Sequence, residues 1–133
     1  MGHELIVRSA QRTEFVNITG RIERIIRDEA LTSGLCHVFV PHTTAAVTLN
    51  ENADPDVMRD LSWKLDQLVP PQDPSYRHTE GNSDAHIKSS LVGTSLTLAV
   101  VDGKLALGTW QAVYLCEFDG PRQRKVWINL LRA

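Results

Sequence analysis

Short runs in which apolar and polar residues alternate occupy most of the chain, and in two places the spacing changes from strand-like to helical. HELIVRSA and EFVNI are β-branched stretches separated by a polar turn, a pattern that predicts a hairpin or two successive strands. From Thr19 the apolar residues Ile22, Ile25 and Ile26 recur at helical spacing among Arg21, Glu23, Arg24, Arg27 and Asp28, and Gly34 follows as a stop signal. LCHVFVP and AAVTLNE read as strands joined by the short connection Pro41-His42-Thr43-Thr44. A second helix is marked by Asp54 as N-cap and Pro55 at its first position. Val57, Leu61, Leu65 and Leu68 repeat along one side until Pro70-Pro71 ends it.

Residues 70–82, PPQDPSYRHTEGN, form a polar loop long enough to raise a suspicion of function. A short helix is expected from Ser83 to Leu91, capped by Asn82 or Ser83, with Ile87 and Leu91 as its packing stripe. TSLTLAVVDG, GTWQAVYLCEF and RQRKVWINLL then read as strands, with turns at Asp102-Gly103 and Asp119-Gly120-Pro121. Strands and helices do not alternate as in a doubly wound fold. The expectation is one α+β domain over residues 1–133, with a mixed or antiparallel sheet core and two to three helices. Three long apolar C-terminal strands in so short a chain also suggest a surface that a second copy covers.

Composition narrows the function classes. The 133 residues are 42% hydrophobic, and 14 basic against 16 acidic side chains leave a formal charge of −2, which argues against a nucleic-acid-binding surface. No apolar run reaches the roughly 18 residues of a membrane span, so no membrane association is expected. Cys36 and Cys116 sit within apolar runs and read as buried, reduced thiols, which points to a cytoplasmic protein. P-loop, GxGxxG, GxSxG and CxxC motifs are absent.

Three of the five histidines lie in turn-rich polar stretches: His42, His78 and His86. Three neutral imidazoles with an open fourth position let a metal hold water or a substrate oxygen. The eight-residue spacing of His78 and His86 does not by itself make that case, and any one of these histidines alone reads as a solvent-facing loop residue. His86 gains from its place in a first helical turn beside Ser89 and Ser90. His3 reads as incidental, and His37 as a half-buried or solvent-facing strand residue. Glu51, at a strand end, could order an imidazole or act as a base, whereas capping accounts for Asp54 and turn formation for Asn50 and Asn52. Trp110 and Gln111 offer a stacking surface and an amide reader for a flat ligand, although a core or interface role is the stronger reading of Trp110 taken alone. Arg122 suits bidentate binding of phosphate or carboxylate, with an ion pair to Asp119 or Glu117 as the alternative.

HTTAAVTLNENADPDV, YRHTEGNSDAHIKSSLVGTSLTL, GTWQAVYLCEFDGPR and VWINL resemble, in order and nearly end to end, the YjbQ family, whose members have been named secondary thiamine-phosphate synthases. The resemblance implies a compact α+β protomer that assembles as a homotrimer, with a polar pocket near the subunit boundary that takes a metal or an anion such as phosphate or sulfate. Carried over by position, it singles out His42, His78 and His86 for metal. Glu51, Glu80 and His86 fall to catalysis, and Thr43, Asn52, Asn82, Trp110, Gln111 and Arg122 to substrate, with Asp54 also in the pattern. Ala53 stands where some relatives have cysteine. The implied reaction joins a pyrimidine diphosphate to a thiazole phosphate and needs a divalent metal. Imidazole ligands favour a zinc-type ion, while a diphosphate substrate keeps magnesium open. Two alternatives share the site: a non-catalytic protein that binds a metal or phosphometabolite, and a metal-dependent phosphohydrolase.

Overall fold

β7 (Gln111–Glu117) is the strand around which the molecule is layered, because every residue after Gln111 is buried, on both faces of its sheet. In the computed structural model, which describes residues 2–133, the chain runs β1 (Gly2–Arg8), β2 (Glu14–Asn17), α1 (Thr19–Asp28), β3 (Ser33–Phe39) and β4 (Ala45–Glu51). It continues through α2 (Pro55–Leu68), α3 (Ser83–Val92), β5 (Ser95–Val101), β6 (Lys104–Leu105) and β7 to β8 (Gln123–Arg132). All strand pairs are antiparallel. They form a five-stranded sheet, β1-β8-β3-β5-β6, and a three-stranded sheet, β2-β7-β4.

The main core lies between the two sheets and beneath α1. Leu5 and Val7, Cys36 and Val38, Leu98 and Val100, and Val126, Ile128 and Leu130 come from the larger sheet. They meet Val47, Val113 and Leu115 of the smaller sheet and Ile22, Ile25 and Ile26 of α1. On the far side of the smaller sheet, Ala46, Cys116 and Phe118 pack with Leu65 of α2 and Ala85 of α3. α1 and the α+β architecture follow the sequence expectation, and the capping of α2 does too: Asp54 Oδ1 accepts from the Asp56 amide, with Pro55 in the first turn. Burial pushes the thiol of Cys36 up to about 11 and that of Cys116 up to about 12, so both are inert thiols of the interior.

Several pairings and faces differ from the sequence reading. β1 and β2 are not a hairpin: they belong to different sheets, as do β3 and β4, so residues 40–44 carry the chain from one layer to the other. On α2 the buried positions are Met58 and Leu65, while Leu68 is 65% exposed. α3 inverts the expected pattern. Its buried residues are Asp84, Ala85, Lys88 and Ser89, whereas Ile87 and Leu91 face outward. The reason is an ion network: Lys88 Nζ bonds Asp84 and Asp66 of α2, and Arg12 grips both Asp84 oxygens at 3.1 and 2.8 Å. Four charged groups satisfying one another make an interior face that a hydrophobic count cannot anticipate. His3, read as incidental, ties β1 to the residue after α1 through Glu29 Oε1 at 2.9 Å.

Candidate functional site

The crossing segment 40–44 and one face of α3 enclose a cavity of about 480 Å³ lined by His42, Thr43, His86, Ser89, Gly93 and Thr94, with Ser90 at its edge. Residues 86, 89, 90 and 93 share this face because they are spaced three, four and seven apart on a helix and its cap. Ser90 Oγ donates back to the His86 carbonyl at 3.0 Å. Ser89 is 2% exposed and its Oγ has no hydrogen-bond partner among the described residues. A buried hydroxyl without a partner costs free energy, and its position in the wall of a polar cavity makes it a waiting donor or acceptor.

The floor beside His42 is held by a second buried ion pair. Arg124 Nε donates to Glu117 Oε1 at 2.8 Å, and its Nη2 donates to Glu117 Oε2, to the Thr44 hydroxyl at 2.8 Å and to the Thr44 carbonyl at 3.2 Å. Ser9 Oγ and the Asp119 amide complete the shell of Glu117. Burial opposes the Glu117 charge, but hydrogen bonds from Arg124, the Asp119 amide and Ser9 outweigh it and keep the carboxyl below its usual range. One residue further on, the Lys125 amide donates to His42 Nε2 at 2.9 Å. That bond needs an unprotonated Nε2, so the neutral ring carries its proton on Nδ1. Desolvation, and then the positive charge of Arg124, lower the His42 pKa and hold the ring neutral.

His86 also forms a wall of a neighbouring cavity of about 400 Å³ with Tyr76, Arg77, His78 and Ile87. The rings of His78 and His86 stand edge to face with centroids 5.2 Å apart. His78 Nε2 lies 3.8 Å from Glu80 Oε2, and both side chains are largely exposed. The long loop therefore brings His78 beside His86, while His42 meets His86 across the first cavity. Among the described residues no group of three or more His, Cys, Asp or Glu side chains is placed to hold a metal ion.

Asn82 occupies the N-cap of α3 without capping it. Its amide donates to Asp119 Oδ2 at 2.8 Å, and its Oδ1 is buried with no partner. Arg122 reaches the same carboxylate at 2.9 Å and also donates to the Asp119 carbonyl, so the Asp119 ion pair foreseen as the alternative is present.

Glu51, Asn52, Trp110 and Gln111 lie elsewhere. Glu51 pairs with Gln111 at the far end of the β4–β7 ladder, and the Asn52 amide donates to the Trp110 carbonyl at 2.8 Å. The seven-residue β4 separates this group from His42 and Thr43 by about 20 Å. Within one chain Glu51 therefore cannot order or deprotonate anything at His42 or His86. Its Oε2 instead accepts from the Asp54 amide at 3.2 Å, ahead of α2. Trp110 is 63% exposed, which removes the reading of it as a core aromatic. Arg124, Asp84 and Lys88 were missed by sequence reasoning, because a charged residue within a strand or helix carries no mark of which face it will occupy.

The UPF0047 protein YjbQ-like family matches residues 3–133 of the chain. The chain belongs to this family. Its relatives include UPF0047 protein YugU of Bacillus subtilis, 45% identical over 127 residues, 96% of each chain. A UPF0047 protein of Methanocaldococcus jannaschii is 46% identical over 125 residues, covering 94% of this chain and 90% of that one. The YjbQ/UPF0047 fold is shared with a solved structure of an uncharacterized conserved protein from Clostridium acetobutylicum, with TM-score 0.94 and 45% identity over 97% of this chain and 99% of that one. A YbjQ-like protein of unknown function from Sulfolobus solfataricus gives TM-score 0.94 at 32% identity, covering 100% and 97%. As a YjbQ-family member the chain has bacterial and archaeal relatives, and among its described residues no helix is long and apolar enough to cross a membrane.

Proposed function

We propose that the cavity between residues 42–44 and α3 binds the phosphate of a small phosphorylated molecule, and that the protein is a metal-assisted transferase of the thiamine-phosphate-synthase type, working as a cytoplasmic homotrimer. The carrying observation is Ser89 Oγ, buried and unpartnered in a cavity whose other polar groups are Thr43, Thr94, His42 and His86. These groups can donate to phosphate oxygens, and the Nδ1–H of His42 is one of the donors.

The donor chemistry suits a zinc-type ion at His78 and His86. The two imidazoles, edge to face with centroids 5.2 Å apart, would hold it. When bound, such an ion would supply Lewis-acid polarisation of a phosphate oxygen. With Nε2 already taken by the Lys125 amide, His42 serves in this reading as a phosphate donor, and Glu80 orders His78. Arg122 keeps Nη1 free of Asp119 and could meet departing pyrophosphate.

Two observations support assembly. The outer face of the five-stranded sheet exposes Leu35, Val101, Trp127 and Leu131, an apolar area suited to a second copy. Glu51, Asn52, Trp110 and Gln111, singled out by the family pattern yet remote from the cavity, would then reach a neighbour's cavity across the boundary.

A second reading is binding without turnover, and one observation favours it: neither Glu51 nor Glu80 lines the cavity. The test is incubation of a metal-replete sample with the two purified precursors. Thiamine phosphate formed by wild type and lost in a folded His86→Ala variant supports the transferase. Phosphate released without coupling points to a hydrolase, and stoichiometric binding without product to a binding protein. Equal product from His86→Ala overturns the site.

A further inference from the structure

α1 lies along the free edge of β1 and is tethered there at two points. Arg21 Nη1 donates to the Ile6 carbonyl at 2.7 Å near one end, and His3 meets Glu29 at the other. Between the tethers is a cleft of about 480 Å³, equal in volume to the histidine cavity and lined by Asn17, Gly20, Arg21, Arg24 and Arg27 over a floor of Leu5 and Ile25. It lies at the Asn52 end of the molecule, since the Asn17 amide donates to Asn52 Oδ1 at 3.1 Å. The length of β4 therefore separates it from His42.

Three of the chain's 14 lysine and arginine residues converge on this one cleft. Among the described residues none of the three forms an ion pair. The acids of α1 do not neutralise them. Glu23 accepts from the Leu105 amide, Glu29 is held by His3, and Asp28 shares the cleft without pairing. Arg21 is already oriented by the Ile6 carbonyl, so part of the ordering cost of a guanidinium clamp is met before any ligand arrives. Gly20 leaves its side of the cleft open, as a Cβ there would meet nothing within 4 Å. The apolar floor lowers the local dielectric and strengthens each charge interaction.

We propose that this cleft is a second anion site, distinct from the histidine cavity, which takes the di- or triphosphate group of a small molecule. The spread of the arginines sets the class. Arg21 to Arg27 spans about 9 Å along the helix, so a lone phosphate engages one or two guanidiniums while a linear polyphosphate engages all three. A formal charge of −2 for the whole chain argues against an extended nucleic acid.

The probes are inorganic phosphate, pyrophosphate and tripolyphosphate, titrated calorimetrically into wild type and into His86→Ala/Ser89→Ala, which removes two polar walls of the other cavity. One tripolyphosphate per chain is expected in His86→Ala/Ser89→Ala, bound at least tenfold more tightly than phosphate. Arg24→Gln/Arg27→Gln should weaken it at least tenfold with an unchanged urea midpoint, both side chains being exposed. Loss of tripolyphosphate binding in His86→Ala/Ser89→Ala would assign it to the histidine cavity and overturn the proposal. Undiminished binding in the double arginine variant, or displacement by sodium chloride at the concentrations that displace it from any cationic surface, would do the same.

Discussion

Arg124 and Thr44, 80 residues apart, are joined by two hydrogen bonds from one guanidinium nitrogen, to the threonine hydroxyl at 2.8 Å and to its carbonyl at 3.2 Å. The bond seats the crossing segment on β8 and sets His42 against the next amide along. Arg124→Met leaves Glu117 buried without its counter-charge and should cost about 3–5 kcal/mol. Much of that loss should return in the double variant Arg124→Met/Glu117→Leu, since an apolar pair of similar volume needs no counter-charge. Urea unfolding of the three proteins measures this, and a double variant no more stable than the single one would mean that the ion pair is not the source.

Ser89 separates stability from binding. Because its hydroxyl has no partner, Ser89→Ala should leave the urea midpoint unchanged or slightly raised. Phosphate affinity should fall by the worth of one hydrogen bond, about 0.5–1.5 kcal/mol. Isothermal titration with inorganic phosphate reads this, and a destabilised Ser89→Ala protein with intact phosphate affinity would show that the hydroxyl serves the fold alone.

His42 ties stability to pH. Its folded pKa lies below the ordinary 6.5, so between the two values the unfolded chain binds more protons than the folded one. Its contribution is therefore full above 6.5 and declines as the pH falls below it toward the folded value. His42→Gln should flatten the pH dependence of the urea midpoint between about pH 7 and pH 5, the interval in which histidine charges. An unaltered slope would mean that His42 titrates as it does in the unfolded chain.

Lys88 is 1% exposed and bonded to both Asp66 and Asp84. Lys88→Met removes the charge that, together with Arg12, faces the fully buried Asp84, and should cost about 3–5 kcal/mol in urea unfolding. Burial opposes the Asp84 charge, but hydrogen bonds from Arg12 and Lys88 hold its carboxyl below the usual 3.8. Its stabilisation is therefore complete above that value and lost as the pH falls toward the folded one. In Lys88→Met the folded pKa rises toward the unfolded value, so this acid loss should become smaller, which a pH series of urea midpoints will show.

Much of the fold was legible because local chemistry decided it. Asp54 and Pro55 start α2 with groups that serve no other end, and Ile22, Ile25 and Ile26 can bury together only on a helix. The β-branched runs became strands near the expected places. His42, Thr43 and His86 were singled out through the family resemblance, and the structure lines one cavity with them and Ser89.

The sequence by itself determined which segments are helix or strand and that the two cysteines are interior thiols. Only the tertiary structure decided which strands pair, which face of α3 is buried, and that Glu51 and Trp110 stand a strand's length from His42. The physical reason is range. Capping and periodicity act over a few residues and can be read along the chain. The Arg12–Asp84–Lys88–Asp66 network and the Arg124–Glu117–Thr44 bonds join groups far apart in sequence, and their charges become interior only after folding has supplied every partner.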